Sequence, residues 1–165
     1  MDNQDTPNNA AENATPDTQF VIQRVYVKNL SFETTNTPQI FQEEWAPDLA
    51  LDLNTTHTQL DDNGSFEVVL TVTATVKNKE ATAFLIEIQQ AGIFTITGAE
   101  GEQLNHLLGS FCPSLLFPYA REAITTEVVR GSFPQLVLAP INFDAIYMQK
   151  QEEAANASSS EETTH

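Results

Sequence analysis

Basic residues are scarce. Seven Lys and Arg stand against 23 Asp and Glu in 165 residues, for a formal charge of −16. So few bases, scattered among acids, cannot neutralise a run of phosphates, which argues against a nucleic-acid partner and against anionic membrane surfaces. Cysteine is nearly absent: Cys112 alone can form no intrachain disulfide and supplies no cysteine-rich metal site. No apolar run approaches the ~18 residues of a membrane-crossing helix, so no direct membrane insertion is expected. From Met1 to Gln19 there is neither a basic n-region nor an apolar h-region, so no secretory signal is expected. The Asn-x-Ser/Thr sequons at Asn13, Asn29, Asn54, Asn63 and Asn156 then read as chance matches. A soluble, cytoplasmic protein is expected.

Catalytic signatures are missing as well: no phosphate loop, no glycine-rich dinucleotide turn, no HExxH helix and no GxSxG elbow. His57 falls in a strand pattern and His106 in a short helix, and both read as structural or surface residues, with His165 in a tail. Cys112, between Phe111 and Pro113, reads as a small buried hydrophobe. The pairs Glu43-Glu44 and Asp61-Asp62 read as solvated neighbours on a connector and a turn. No cofactor, no metal and no enzymatic activity are expected. The competing reading from another class is a catalytic or small-ligand-binding α+β domain using His106 and a nearby carboxylate, and light scattering separates such a monomer from an oligomer.

What is present is organised in three parts. Residues 1–18 and 151–165 hold four acids each and no Lys, Arg or aromatic residue, the composition of disordered acidic tails. Residues 19–150 carry the seven bases and all the aromatics, enough to bury one core. Within them FVIQRVYVKNLSF (20–32) reads as a strand with apolar groups on both faces, covered on two sides. A long connector follows, 33–47, in which Pro38 and Pro47 bracket Phe41 and Trp45. Alternation at Leu49, Leu51 and Leu53, then from Phe66 to Val76 across Asp61-Asp62-Asn63-Gly64, predicts a hairpin. A fourth strand spans 81–96, where Gly92 marks a bulge or a close approach. Helical spacing predicts a short helix over 102–111 stopped before Pro113 and a second over 114–130 capped by Gly131. A last helix, capped by Asn142, runs from Phe143 to about Glu153. Strands first and helices second predict an α+β fold, a four-stranded antiparallel sheet with helices packed on one face.

Two features exceed that background. Phe41 and Trp45 in the connector, with Phe143, Ile146, Tyr147 and Met148 on the last helix, suit a groove for extended apolar segments of another chain, or simply a closed core. Residues 29–76 contain eight acids and no Lys or Arg, either a solvated face or a docking patch for a basic partner.

The segments QRVYVKNLSFE (23–33), WAPDLALDL (45–53), QQAGIFTITG (89–98), SFCPSLLFPYAREAIT (110–125) and RGSFPQLVLAPINFDAIYMQ (130–149) resemble the bacterial protein-export chaperone family SecB, over about 20–150. The resemblance implies a cytosolic homotetramer, a dimer of dimers, that holds unfolded precursor proteins without ATP and passes them to the SecA motor of the Sec translocase. It implies motor contacts at Glu33, Leu85 and Glu87, with Asn29 at a position often Asp, and client contacts at Phe41, Trp45 and Tyr147, beside which Met148 is added. Period-2 alternation agrees for Glu87, which shares a strand face with Leu85 and Gln89, opposite Phe84, Ile86 and Ile88. Association of subunits also covers the apolar excess of the first strand and of the 114–130 helix, whose stripe Leu115 and Val129 widen. A nearer alternative within the resemblance is a SecB-like chaperone of a toxin-antitoxin pair.

Overall fold

The computed structural model describes residues 17–161. Four strands, β1 (Gln19–Glu33), β2 (Pro47–Gln59), β3 (Ser65–Asn78) and β4 (Ala81–Thr97), form one antiparallel sheet in the order β1-β4-β3-β2. The connector between β1 and β2 crosses the end of the sheet and contains a single 3-10 turn, Gln39–Gln42. Helices α1 (Gly101–His106), α2 (Cys112–Arg130) and α3 (Phe143–Glu161) follow. Much of the expected 1–18 tail and the last residues of the 151–165 tail lie outside the described residues.

Register explains which side chains meet the helices. Inward residues of β4 (Phe84, Ile86, Ile88, Phe94, Ile96) and of β3 (Phe66, Val68, Leu70, Val72, Ala74, Val76) are buried and close a core with Leu116, Ala120, Ile124 and Val128 of α2. Gly92 is the close approach: a Cβ there would stand 2.7 Å from the Phe94 ring and 3.1 Å from Leu116 Cδ2. The β2–β3 turn closes as the sequence predicts. Asp61 Oδ1 accepts from the backbone N–H of Asn63 (2.8 Å) and of Ser65 (3.1 Å), and Gly64 takes a φ of +85°.

Strand β1 departs from the expected double-faced burial. Its ladder with β4 shifts between Ile22 and Arg24 and again between Val27 and Asn29. Each shift resets the alternation. Phe20, Ile22, Val25, Val27, Leu30 and Phe32 therefore share the helix-facing side, while Arg24, Tyr26, Asn29, Ser31 and Glu33 share the outer side. Gln90 Nε2 donates to the Tyr26 carbonyl (3.0 Å) beside the second shift.

The helical region corrects two expectations. No break precedes Pro113: a π turn, Leu107–Phe111, joins α1 to α2, and the Cys112 N–H reaches back to the Leu107 carbonyl. That widened turn admits the proline without the usual clash against the preceding turn. At the other end Gly131 caps α2 as expected, its N–H donating to the Glu127 carbonyl (2.9 Å), but with φ −75°, and the left-handed residue is Ser132, with φ +64°. Gly131 is required for space instead, since a Cβ there would stand 2.6 Å from the Phe32 ring. Asn142 caps α3 as expected, its Oδ1 accepting from Ala145 N–H (3.0 Å), but the helix continues to Glu161. Residues 151–161 are mainly Gln, Glu, Ala and Ser, with neither Pro nor Gly to stop it.

Candidate functional site

Connector 34–46 has no strand to pair with; one long backbone bond, Lys79 N–H to the Ala46 carbonyl (3.5 Å), and several side chains fasten it to the sheet. Asn36 Nδ2 donates to the Thr82 carbonyl (2.8 Å), Asn78 Oδ1 accepts from Ala46 N–H (2.7 Å) and Asn78 Nδ2 donates to the Glu44 carbonyl (3.1 Å). Trp45 is thereby presented over Phe133, with ring centroids 5.9 Å apart. Phe41 meets the same ring at 5.1 Å and Phe84 meets it at 4.9 Å. Phe133 is 5% exposed and Phe41 49%, so one buried ring forms the floor for two accessible ones. Hollows of about 120 Å³ (Trp45, Leu49, Val76, Pro134, Leu136) and 200 Å³ (Phe41, Trp45, Ser132, Pro134) flank them.

Tyr147 and Met148 stand at a different place, where α3 leans on the π turn. His106 Nε2 contacts the Asp144 carboxylate, Ser110 Oγ donates to Asp144 Oδ1 (3.3 Å), and the His106 ring meets Tyr147 edge-on with centroids 5.3 Å apart. The hydrogen bond from His106 holds the Asp144 carboxyl below its ordinary range. A Cβ at Gly109 would stand 2.7 Å from Tyr147 Cδ2, so the ring rests on bare backbone. Tyr147 separates a hollow of about 240 Å³, lined also by Leu53, Thr55, His57 and Ile146, from an open one of about 710 Å³ beside Leu107 and Met148.

The expected client contacts thus fall in two pairs, and β2 runs between them. Its helix-side residues are Leu49, Leu51, Leu53, Thr55 and His57; Leu49 lines the Trp45 hollow, while Leu53 and His57 line the Tyr147 hollow. At ~3.3 Å per residue, Leu49 and Leu53 are roughly 13 Å apart. Leu51 between them is 38% exposed and Leu49 41%, and β2 is one of the sheet's two edge strands, with backbone groups unpaired along its outer side. Phe133 and Asn78 escape sequence reading. One sits in the proline-rich stretch after α2, and the other ends a strand at an inward position where alternation calls for an apolar residue.

The sheet's outer face is a second surface. Glu33 pairs directly with Leu85, and Ser31, Glu87, Thr73 and Asp52 form the next row across all four strands. Thr73 Oγ1 donates to the Glu87 carboxylate (3.2 Å). Asn29 is one row further on, opposite Gln89. The opposite end of the face is neutralised: Lys28 Nζ donates to Glu67 Oε1 (2.6 Å), and Tyr26 donates to the other carboxylate oxygen. Glu33, Glu87 and Asp52 have no such base beside them, and Lys77 opposite Asp48 is the nearest in register.

Cys112 is wholly buried and its thiol is pushed up to about 12 by that burial, so it is no nucleophile. Among the described residues no three His, Cys, Asp or Glu side chains gather to hold a metal, and no helix is long and apolar enough to cross a membrane.

Residues 12–154 match the model of the family described as preprotein translocase subunit SecB. The chain belongs to the SecB family. It is 68% identical over 146 residues to the protein-export protein SecB of Legionella pneumophila strain Philadelphia 1, covering 88% of this chain and 90% of that one. It is 56% identical over 149 residues to that of Marinobacter nauticus, again covering 88% and 90%. The fold is similar to that of a Mycobacterium tuberculosis SecB-like chaperone solved with a ChAD peptide from an antitoxin, at TM-score 0.57 and 17% identity, over 74% of this chain and 90% of that one. The chain is accordingly a SecB-family chaperone of protein export, in a family whose members are chaperones and not enzymes.

Proposed function

We propose that the chain holds unfolded secretory precursors as extended segments laid along β2, from the Phe41–Trp45–Phe133 cluster to Tyr147 and Met148, without ATP. One observation carries this: an edge strand with bare leucines joins two aromatic hollows. A segment lying there buries apolar side chains in the hollows and pairs its backbone with β2, which demands little of its sequence. The outer-face patch of Glu33, Leu85 and Glu87 serves a different partner, the basic surface of the SecA motor, with Asp52 adding charge to it. The working form is a cytoplasmic homotetramer, a dimer of dimers. Phe111 (42% exposed), Tyr119 (54%) and Val129 (52%) on one side of the helical rod, with Val21, Ile22 and Val27 (46–51%) along β1, support it by leaving apolar surface that copies of the chain would cover. The export role is preferred to a toxin-antitoxin role because relatives at 56 and 68% identity are named protein-export proteins.

The deciding experiment mixes the protein with a slowly refolding precursor. Refolding should stall at one tetramer per precursor, and Trp45→Ala combined with Tyr147→Ala should abolish the stall; an unaltered stall would move the client site elsewhere. Light scattering should give four times the chain mass, and Tyr119→Asp should lower it.

A further inference from the structure

Asn78 is 0% exposed, and burying a primary amide is costly unless its groups are hydrogen-bonded. Both of them are, and both bonds go to the connector: Oδ1 accepts from Ala46 N–H (2.7 Å) and Nδ2 donates to the Glu44 carbonyl (3.1 Å). The two bonded residues are the neighbours of Trp45. In the ladder Asn78 stands opposite Pro47, which has no N–H to give; the backbone bond there, Lys79 N–H to the Ala46 carbonyl, is long (3.5 Å), and the Asn78 side chain adds two shorter ones. An apolar residue would serve core packing at this inward position, whereas an amide serves only the segment it holds. We propose that Asn78 is a positioning residue of the client site, fixing the backbone on both sides of Trp45 so that the indole is already set over Phe133 when a client arrives.

The inference rests on the client-site reading above and is tested against it by a double-mutant cycle. Affinity is measured for a reduced, carboxymethylated polypeptide that stays unfolded in buffer, in the parent, Asn78→Ala, Trp45→Ala and the double variant. Losing the preset conformation of about one residue should weaken binding roughly 5- to 30-fold in Asn78→Ala. In the Trp45→Ala background the same change should add less than about 2-fold, because the residue it positions is gone. Acrylamide should also quench Trp45 more readily in Asn78→Ala. Equal losses in both backgrounds would mean that Asn78 acts on the fold alone and would overturn the proposal, as would unaltered binding by Asn78→Ala where Trp45→Ala binds weakly. Unaltered binding by Trp45→Ala would instead overturn the client site itself. Should Asn78→Ala fail to fold, hydrogen exchange in the parent decides: the Ala46 amide, outside any strand pairing, should exchange slowly, and fast exchange would refute the clamp.

Discussion

Replacing Phe133 separates the packing role of the aromatic floor from its role in presenting Phe41 and Trp45. Phe133 is 5% exposed and touches the rings of Phe41, Trp45 and Phe84. Truncation to alanine should cost about 3–5 kcal/mol, the range for a buried phenylalanine. A domain stable by well over about 5 kcal/mol survives that loss. With a urea slope of about 2 kcal/mol per molar, the midpoint falls by roughly 2 M at fixed protein concentration. Leucine is the sharper probe, because it refills much of the volume and should cost only about 1 kcal/mol, yet it ends the ring contacts. Two aromatic pairs at about 0.5–1.5 kcal/mol each amount to about 1–3 kcal/mol of lost positioning, or roughly 5- to 150-fold in client affinity. Urea melts, titration with an unfolded polypeptide and the emission of Trp45, the only indole in the chain, read the three quantities separately. If Phe133→Leu binds as tightly as the parent and leaves the indole emission unchanged, the floor does not present these residues and the reasoning fails.

Gly92→Ala should cost about 1–3 kcal/mol in thermal melts, because its Cβ meets Phe94 and Leu116 at 2.7 and 3.1 Å inside a packed core. The hydrogen bond from Lys28, then that from Tyr26, hold the Glu67 carboxyl below its ordinary 4.5. A depressed folded value stabilises fully above the unfolded one, so this contribution should fade as pH falls below about 4.5, and Glu67→Gln should flatten that part of the stability profile. Burial, with Glu67 beside it, pushes Tyr26 up to about 12; the stability it lends is full below 10 and lost as pH rises through 12, which absorbance titration against Tyr26→Phe should reveal. Glu33→Gln with Glu87→Gln should weaken binding of the SecA motor, more at low salt than at high, while client affinity stays unchanged, because the two surfaces are on opposite faces of the sheet.

The parts of the fold that follow a single period are legible in the sequence. Alternation from Phe66 to Val76 places that strand and its buried face correctly, and the same rule puts Leu85 and Glu87 on the outer side. Where the period is broken, sequence reading errs in a specific way. Two register shifts in β1 make a one-faced strand look two-faced, and a π turn carries a helix through a proline that ordinarily ends one. The residues proposed to hold clients show a different limit. Phe41 and Trp45 are conspicuous because large aromatics are unusual in a connector, but Phe133, the ring that joins them, lies 88 positions after Trp45 and only tertiary structure brings it there. Alternation at Leu49 and Leu51 predicts a strand but cannot tell a central strand from an edge; at the edge these two are bare.

An edge strand with bare leucines is an invitation to pair with another copy, and β2 carries its own protection. Its outward residues alternate with the leucines and include Asp48 and Asp52. A second β2 paired antiparallel along this edge, with its leucines on the same face, would bring its own aspartates onto the outward face beside these two, and like charges facing each other across strands are destabilising. A formal charge of −16 adds long-range repulsion between copies. A client segment in the proposed site that is apolar, or basic as well, would escape both penalties. In the client site proposed above, the acidic composition that argues against nucleic acid would thus also let a sticky strand stay open for foreign chains while discouraging pairing with its own kind.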